Sequence, residues 1–377
     1  MCNIKCHSHV LHAFADYINL VGRDGSVFSF RSMNQIECMS RIIPGFILCL
    51  LVSFIFPTSI IAQNPSAYPP PGKLYDAGGH LLHLHIQGKG NPVVIFENGS
   101  GDFSFIWDLV QPAVSKTSLT VSYDRAGYAW SEPGPVPRTG KQIAYELHTA
   151  LNNAGIKGPY ILVGQSFGGF LVRYFAMLYE KEVAGLVLVD ALNEDEQIIM
   201  DNKPVRIREM ANGRQAPAIQ TTMKKNINRD STGEKNPLAS NTSIEPPLDK
   251  LSPVDQKMQI WAQTQFNYFK AASSEMDWSP EDVADLYKNK DKPGYTLGNI
   301  PLVVICKGQG NYSGMPDSAE LEKRRLVLQK DLTRLSTNSK LIIDKNSGHN
   351  IHLEDPAIVI DAIEQVMHAY SAHTKLK

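Results

Sequence analysis

One serine is set between glycines in Gly164-Gln165-Ser166-Phe167-Gly168-Gly169. It follows the apolar run Tyr160 to Gly164 and opens a helix-forming stretch, Phe167 to Tyr179. Between a strand and a helix, G-x-S-x-G makes a tight turn with the serine at its tip. Gly164 and Gly168 have no Cβ, so neighbouring backbone can approach the turn closely. The start of the helix brings unpaired N–H groups and a positive dipole end beside the hydroxyl. The chemistry this suits is nucleophilic attack on an acyl carbon. The bland alternative is a serine in an ordinary turn, and the flanking strand and helix argue against it.

A serine hydroxyl is a poor nucleophile near neutral pH and needs a base. Ser347-Gly348-His349 follows the last apolar run, Lys340 to Ile343, and precedes Leu353-Glu354-Asp355-Pro356 and a final helix. A histidine in that loop lies at the carboxyl edge of a sheet, beside Ser166 and after it in the chain, so His349 is the expected base. Gly348 is expected to give the backbone freedom to turn the ring inward. His352 is the competitor. The developing oxyanion needs two backbone N–H donors. Phe167 supplies one; Asn98-Gly99-Ser100-Gly101-Asp102 should supply the other, with Ser100 the first choice and Gly99 the next. Asn98-Gly99-Ser100 is also a glycosylation sequon, but a glycan would block this loop and is discounted.

These groups need a sheet to hold them. Short apolar runs recur at Pro92 to Glu97, Leu119 to Tyr123, Tyr160 to Gly164, Ala184 to Val189, Pro301 to Ile305 and Lys340 to Ile343. Helical stretches at Thr139 to Ala154, Phe167 to Tyr179, Ala319 to Leu335 and Pro356 to Tyr370 separate most of them. That alternation predicts a parallel sheet covered on both faces. Upstream, Leu74 to Ala77 and His80 to Gln87 flank Gly78-Gly79 and read as a β-hairpin. His83 and His85 alternate along its second strand. With no third ligand nearby, a solvated strand face is expected rather than a metal site.

About 110 residues separate Asp190 from Pro301, far beyond an ordinary connection. The predicted division is a core of 63–191 and 301–377 with a cap insertion of 192–300, expected to be helical and to lie over the carboxyl ends of the strands. Trp261, Phe266, Tyr268, Phe269 and Trp278 in it either line a substrate pocket or pack the cap down.

Composition narrows the classes. The 377 residues are 43% hydrophobic, with a net charge of −1, so no basic field exists to attract nucleic acid or anionic lipid. The expected partner is a small-molecule acyl substrate, with no nucleic acid and no obligatory membrane partner. Ser40-Arg41, the apolar run Phe46 to Phe56 and the small-residue end at Ala62 form a secretory signal. The weaker reading is an anchor over Ile42 to Ala62. Residues 1–62 thus form a leader segment, with Met33 or Met39 the expected start and Gln63 the mature terminus, and the protein is expected to be exported. The Cys2, Cys6, His7, His9 and His12 group upstream resembles a metal cluster only superficially. After Ala62 only Cys306 remains, so no internal disulfide is possible.

These motifs together resemble the α/β-hydrolase superfamily, in its common serine-hydrolase branch (hydrolase-1 type). The resemblance runs from about Leu74 to Ala369. It rests on FENGSGD (Phe96 to Asp102), YDRAGYAWSEPGPVPRT (Tyr123 to Thr139), ILVGQSFGG (Ile161 to Gly169), GLVLVDA (Gly185 to Ala191) and SGHNIHLEDP (Ser347 to Pro356). It implies an α/β fold with a mostly parallel eight-stranded sheet, helices on both faces, an inserted helical cap, a Ser-acid-His triad and no cofactor or metal. Asn98-Gly99 stands where many members have His-Gly, which backbone donors tolerate. The Asp124 to Gly127 stretch is read as structural, shaping the loop beside the site.

The family usually carries the acid after the penultimate strand, here Pro301 to Ile305. The sequence there, Cys306-Lys307-Gly308-Gln309-Gly310-Asn311, has no carboxylate, and Asp317 reads better as a helix cap. Some members carry the acid one strand earlier, which implies Asp190, with Glu194 and Asp195 as weaker rivals. Serine at the elbow speaks against dehalogenase and epoxide-hydrolase chemistry, which in related folds uses an aspartate. The expected activity is hydrolysis of an ester or related acyl bond. Acyl transfer, peptidase activity and non-catalytic small-molecule binding are the alternatives.

Overall fold

A computed structural model describes residues 68–200, 203–222, 243–290, 295–309 and 318–376. The leader, its cysteine and histidine group and Asp317 lie outside the described residues. Eight strands form one sheet. They are β1 (Lys73–Asp76), β2 (Leu81–Gln87), β3 (Val93–Glu97), β4 (Thr120–Tyr123), β5 (Tyr160–Gln165), β6 (Val183–Val189), β9 (Leu302–Lys307) and β10 (Ser339–Asp344). Their order is β1-β2-β4-β3-β5-β6-β9-β10. The hairpin partners β1·β2 and the pair β2·β4 are antiparallel, and every later pair is parallel. Asp76 Oδ1 closes the hairpin by accepting from the N–H groups of Gly78 and Gly79, whose φ values of +105° and +93° require glycine.

The runs of β3, β5 and β6 are buried along their whole length, as strands covered on both faces must be. On one face pack α1 (Gly140–Asn153) and α2 (Phe167–Leu178), with Ile143, Leu147, Leu171 and Phe175 in the core. On the other lies the last helix, Pro356–Ser371, whose Val359, Ala362, Ile363 and Val366 meet Phe96, Trp107 and Val187. Leaving β3 the chain turns back to β4; leaving β5 it goes the other way to β6. The sheet's switch point therefore falls between the loops after β3 and β5, where ligands bind in open α/β sheets.

Residues between β6 and β9 hold an antiparallel pair, β7 (Gln197–Met200) and β8 (Lys203–Arg206), then α3 (Pro253–Gln263) and α4 (Phe266–Lys288). The insertion is expected to be helical, and its later part is; its opening is a strand pair, whose four-residue runs show no helical spacing. Among the described residues no helix is long and apolar enough to cross a membrane.

His83 corrects another expectation. It is fully buried rather than solvated. Its Nε2 accepts from Gly72 N at 3.0 Å and its Nδ1 lies 2.8 Å from Asp124 Oδ2, so both ring nitrogens are used inside the protein. His85, two residues on, is half-buried.

A buried ion pair clamps the start of α1. Arg138 Nη1 and Nη2 donate to Glu146 Oε1 and Oε2, each at 2.7 Å, with both side chains about 1% exposed. Burial opposes the charge on Glu146, but Arg138 and His80 overcome it and hold the carboxyl at about 2, below its ordinary 4.5. A depressed acid stabilises the fold above its unfolded value, so this contribution is present above pH 4.5 and lost as pH falls towards 2. Glu146→Gln leaves a buried guanidinium without its counter-charge and should cost about 3–5 kcal/mol. Thermal melts from pH 7 down to pH 3 check this: the variant melts lower at neutral pH and shows less of the acid-side fall. Equal melting temperatures at neutral pH would refute it.

Candidate active site

Ser166 sits between β5 and α2 at φ +54°, ψ −120°, a conformation that is strained for a residue with a Cβ. Three backbone bonds hold it there: Ser166 N donates to Val189 O (3.0 Å), while Leu192 N (3.0 Å) and Gly169 N (3.1 Å) donate to Ser166 O. The glycines have a geometric reason. A Cβ on Gly164 would lie 2.5 Å from Gly168 O, and one on Gly168 would lie 2.5 Å from both Glu97 O and Asn98 O. Strand, helix and the end of β3 thus approach closely enough to push the serine out at the carboxyl edge of the sheet. Phe167 is the first residue of α2, where N–H groups have no intrahelical acceptor.

His349 and Asp190 meet directly. His349 Nδ1 lies 2.7 Å from Asp190 Oδ2. The carboxylate is 4% exposed and the imidazole 26%, so the acid is sealed while the ring is partly open to solvent. Asp190 follows β6 at φ +42°, with its N–H bonded to Ile305 O at 2.7 Å. It is also ringed by cations: Lys307 Nζ is 3.4 Å from the oxygen that binds His349, and Arg325 Nη1 is 3.1 Å from the other. Lys307 N donates to that second oxygen as well, at 3.2 Å. Burial alone would raise this acid, but Lys307, the hydrogen bond from His349 and Arg325 outweigh it and hold the carboxyl well below the usual carboxylate range.

The loop carrying His349 is tied to the elbow. Gln165 Nε2 lies 3.3 Å from His349 O and 3.4 Å from Asn350 Oδ1. Gly348 N donates to Glu354 Oε2 at 2.9 Å, and a Cβ on Gly348 would come 3.1 Å from the same carboxylate. Gly348 has no positive φ, so close packing of Glu354, not backbone freedom, is the reason for a glycine there. His352 is fully buried, with its ring 4.7 Å from that of Trp107. Burial, with His349 nearby, pushes it down to about 3, so it stays neutral. Glu194 is engaged elsewhere, with Arg173 and Tyr295, and Asp195 pairs with Arg206 and Arg208.

Ser100 lies half-buried in the loop after β3, close to the elbow: a Cβ on its neighbour Gly99 would strike Gln165 Oε1 and lie 2.8 Å from Asp102 Oδ2. Asn98 is fully buried; its Nδ2 donates to Tyr123 O (2.7 Å) and its Oδ1 accepts from Trp107 Nε1 (3.0 Å), leaving no amide for a glycan. Arg125 lies beneath the loop, bonded to Asn98 O and Gly99 O. The Tyr268 ring of α4 lies 5.1 Å from those of both Phe103 (tilted) and Tyr128 (edge-on), and its hydroxyl donates to Gly101 O at 3.3 Å. Trp261 meets Trp130 at 5.3 Å, whereas Trp278 lies under Arg214 at 4.4 Å. Tyr268 and Trp261 thus pack against the loops after β3 and β4, and Trp278 holds the insertion's own chain.

Sequence reasoning missed Gln165, Arg125, Lys307 and Arg325 as partners of these groups. A signal existed for three: Arg125 and Gln165 stand inside motif blocks, and Lys307 closes the strand where a carboxylate was sought.

Residues 92–356, well over half of the chain, match the family described as the alpha/beta hydrolase fold. A stretch of 129 residues is 36% identical to the probable transporter efuK of Hormonema carpetanum; it is 32% of this chain but only 18% of that protein. The uncharacterized protein YqjL of Bacillus subtilis is 25% identical over 295 residues, 78% of this chain and 91% of the relative. Among solved structures, the meta-cleavage product hydrolase CumD of Pseudomonas fluorescens superposes with a TM-score of 0.52 at 18% identity, covering 78% of this chain and 97% of that one. At that identity the likeness is one of fold.

Proposed function

The chain belongs to the α/β-hydrolase family, and from that premise we propose that it is an exported serine hydrolase that cleaves a carboxylic ester or related acyl bond. The observation that carries this reading is the His349–Asp190 contact of 2.7 Å at the sheet edge that also bears the strained Ser166. With Nδ1 committed to Asp190, Nε2 is the nitrogen left to take the serine proton. Ser166 Oγ then attacks the acyl carbon, and the carbonyl oxygen gains charge in front of the N–H groups of Phe167 and Ser100. Imidazolium stabilised by Asp190 returns the proton to the leaving alcohol as the ester C–O bond breaks. Water, deprotonated by His349, attacks the acyl-enzyme; the acid departs and Ser166 is restored. Asp190, held in its charged form by Lys307 and Arg325, fixes the tautomer and stays ionised throughout. Export rests on the signal-like run before Gln63.

A fluorophosphonate probe and a series of esters of graded acyl length test the proposal together. Expected results are stoichiometric labelling at Ser166 and turnover of at least one ester. Labelled protein recovered outside the cytoplasm should begin near Gln63. Absence of labelling at Ser166 would remove the catalytic reading; an intact segment before Met33 would remove the export reading.

A further inference from the structure

The residue beneath the oxyanion loop does more than fill space. Arg125 is fully buried, and its guanidinium reaches two consecutive carbonyls: Nη1 bonds Asn98 O at 2.9 Å and Nη2 bonds Gly99 O at 2.8 Å. A peptide unit is planar and trans, so its N–H points opposite to its C=O. The unit whose carbonyl belongs to Gly99 carries the N–H of Ser100. Anchoring that carbonyl on Arg125 therefore aims the Ser100 N–H away from the guanidinium. The unit before it, with the N–H of Gly99, is set in the same sense. Two successive N–H groups facing one way form a concave anion-binding arrangement. A cation on the carbonyl side also polarises each peptide unit and strengthens its N–H as a donor.

The same guanidinium is held from the insertion. Arg125 Nε lies 3.1 and 3.2 Å from the two oxygens of Glu275 on α4, and Glu275 Oε2 accepts from Tyr128 OH at 2.7 Å. Tyr128 lies under the guanidinium at 4.7 Å, and Glu97 at the end of β3 takes the remaining Nη1 bond at 3.0 Å. Glu275 is 2% exposed, so this is a sealed connection from the insertion's helix to the loop.

We propose that Arg125 is a positioning residue of the oxyanion hole, and that Glu275 makes the alignment of that hole depend on the seating of α4. This rests on the reading of Ser100 and Phe167 as oxyanion donors. Arginine is required because a lysine ammonium is a single point and cannot hold two carbonyls in a fixed fork. The effect belongs to the transition state: a ground-state carbonyl has little charge to offer a donor, whereas the tetrahedral oxyanion has a full one.

Arg125→Lys and Glu275→Gln test this, with rates expressed per site titrated by the fluorophosphonate. Arg125→Lys should lower kcat on a simple ester by about 10²-fold, the scale of losing one oxyanion donor, with KM near wild type. Affinity for a trifluoromethyl ketone, whose hemiketal oxygen occupies the hole, should fall by a similar factor. Affinity for the matching unreactive ether should not. Glu275→Gln should shift the same quantities in the same direction by less, and it carries the test if Arg125→Lys fails to fold. The inference is overturned if kcat per titrated site is unchanged in the folded variants, or if kcat, 1/KM and both inhibitor affinities fall in parallel, as general deformation would produce. Wild-type protein that neither labels nor turns over esters would instead reject the hydrolase reading itself.

Discussion

Ser166→Ala should abolish turnover, by on the order of 10⁴-fold or more, and eliminate fluorophosphonate labelling without changing the melting temperature appreciably. The elbow is held through the backbone N–H and C=O of residue 166, which alanine keeps. Alanine also carries the same Cβ, so the strain at φ +54° is unchanged. His349→Ala should match the loss, because a triad acts as a unit and the nucleophile without its base is inert. His352→Ala should separate from both. Its ring is packed on Trp107 in the interior, so truncation leaves a cavity and lowers stability while kcat stays near wild type. Steady-state rates on one ester, paired with thermal melts, distinguish the three. A His352→Ala protein as inactive as His349→Ala would make the assignment of the base wrong.

The second large effect is at Asp190. Asp190→Asn should reduce kcat by about 10⁴-fold, the scale seen when a triad acid is made neutral and the imidazole loses its tautomer. Here the loss has a second source. Lys307 and Arg325 both bond this carboxylate, at 3.4 and 3.1 Å. Neutralising it leaves two buried cations beside an imidazole that must itself become positive, which opposes proton uptake from Ser166. The variant should therefore also melt below wild type, since neutralising Asp190 takes the carboxylate from buried Lys307 and leaves Arg325 with Glu322. Asp317→Asn provides the comparison and should stay near wild-type activity. A severe loss at Asp317 with little change at Asp190 would reverse the assignment.

Strand positions were legible because burial on both faces writes continuous apolar runs, and the runs at Val93–Glu97 and Val183–Val189 fall within a residue of expectation. The penultimate strand is longer than its apolar run predicts, extending through Cys306 to Lys307. A lysine at the end of a run looks like the start of a loop. It is buried here because Asp190, more than a hundred residues earlier, supplies the opposite charge, and no local pattern records such a pairing. His83 was misread for the same reason: alternation along a strand says which side chains share a face, not that Asp124 waits to bond one of them. At the site, groups acting through short-range geometry were readable, as with Ser166 on its turn. The roles of Arg125 and Gln165 in holding those groups were not, because the groups they hold are the backbone carbonyls of Asn98, Gly99 and His349, which any sequence possesses.

Asp190 is the last residue but one before the insertion, so the three proposed triad members all lie outside the segment 192–300. A chimera that exchanges this segment for that of another family member would thus inherit a complete triad. Its success would hinge on charge matching at buried seams, the pair of Arg173 with Glu194 among them. The core presents a buried Arg125 whose second carboxylate, Glu275, belongs to the exchanged piece. A donor helix without an acid at that point would leave the buried guanidinium with Glu97 alone as its carboxylate partner. Compatibility between cores and lids in recombined enzymes of this kind would then be decided less by surface shape than by whether the incoming lid brings its own anion.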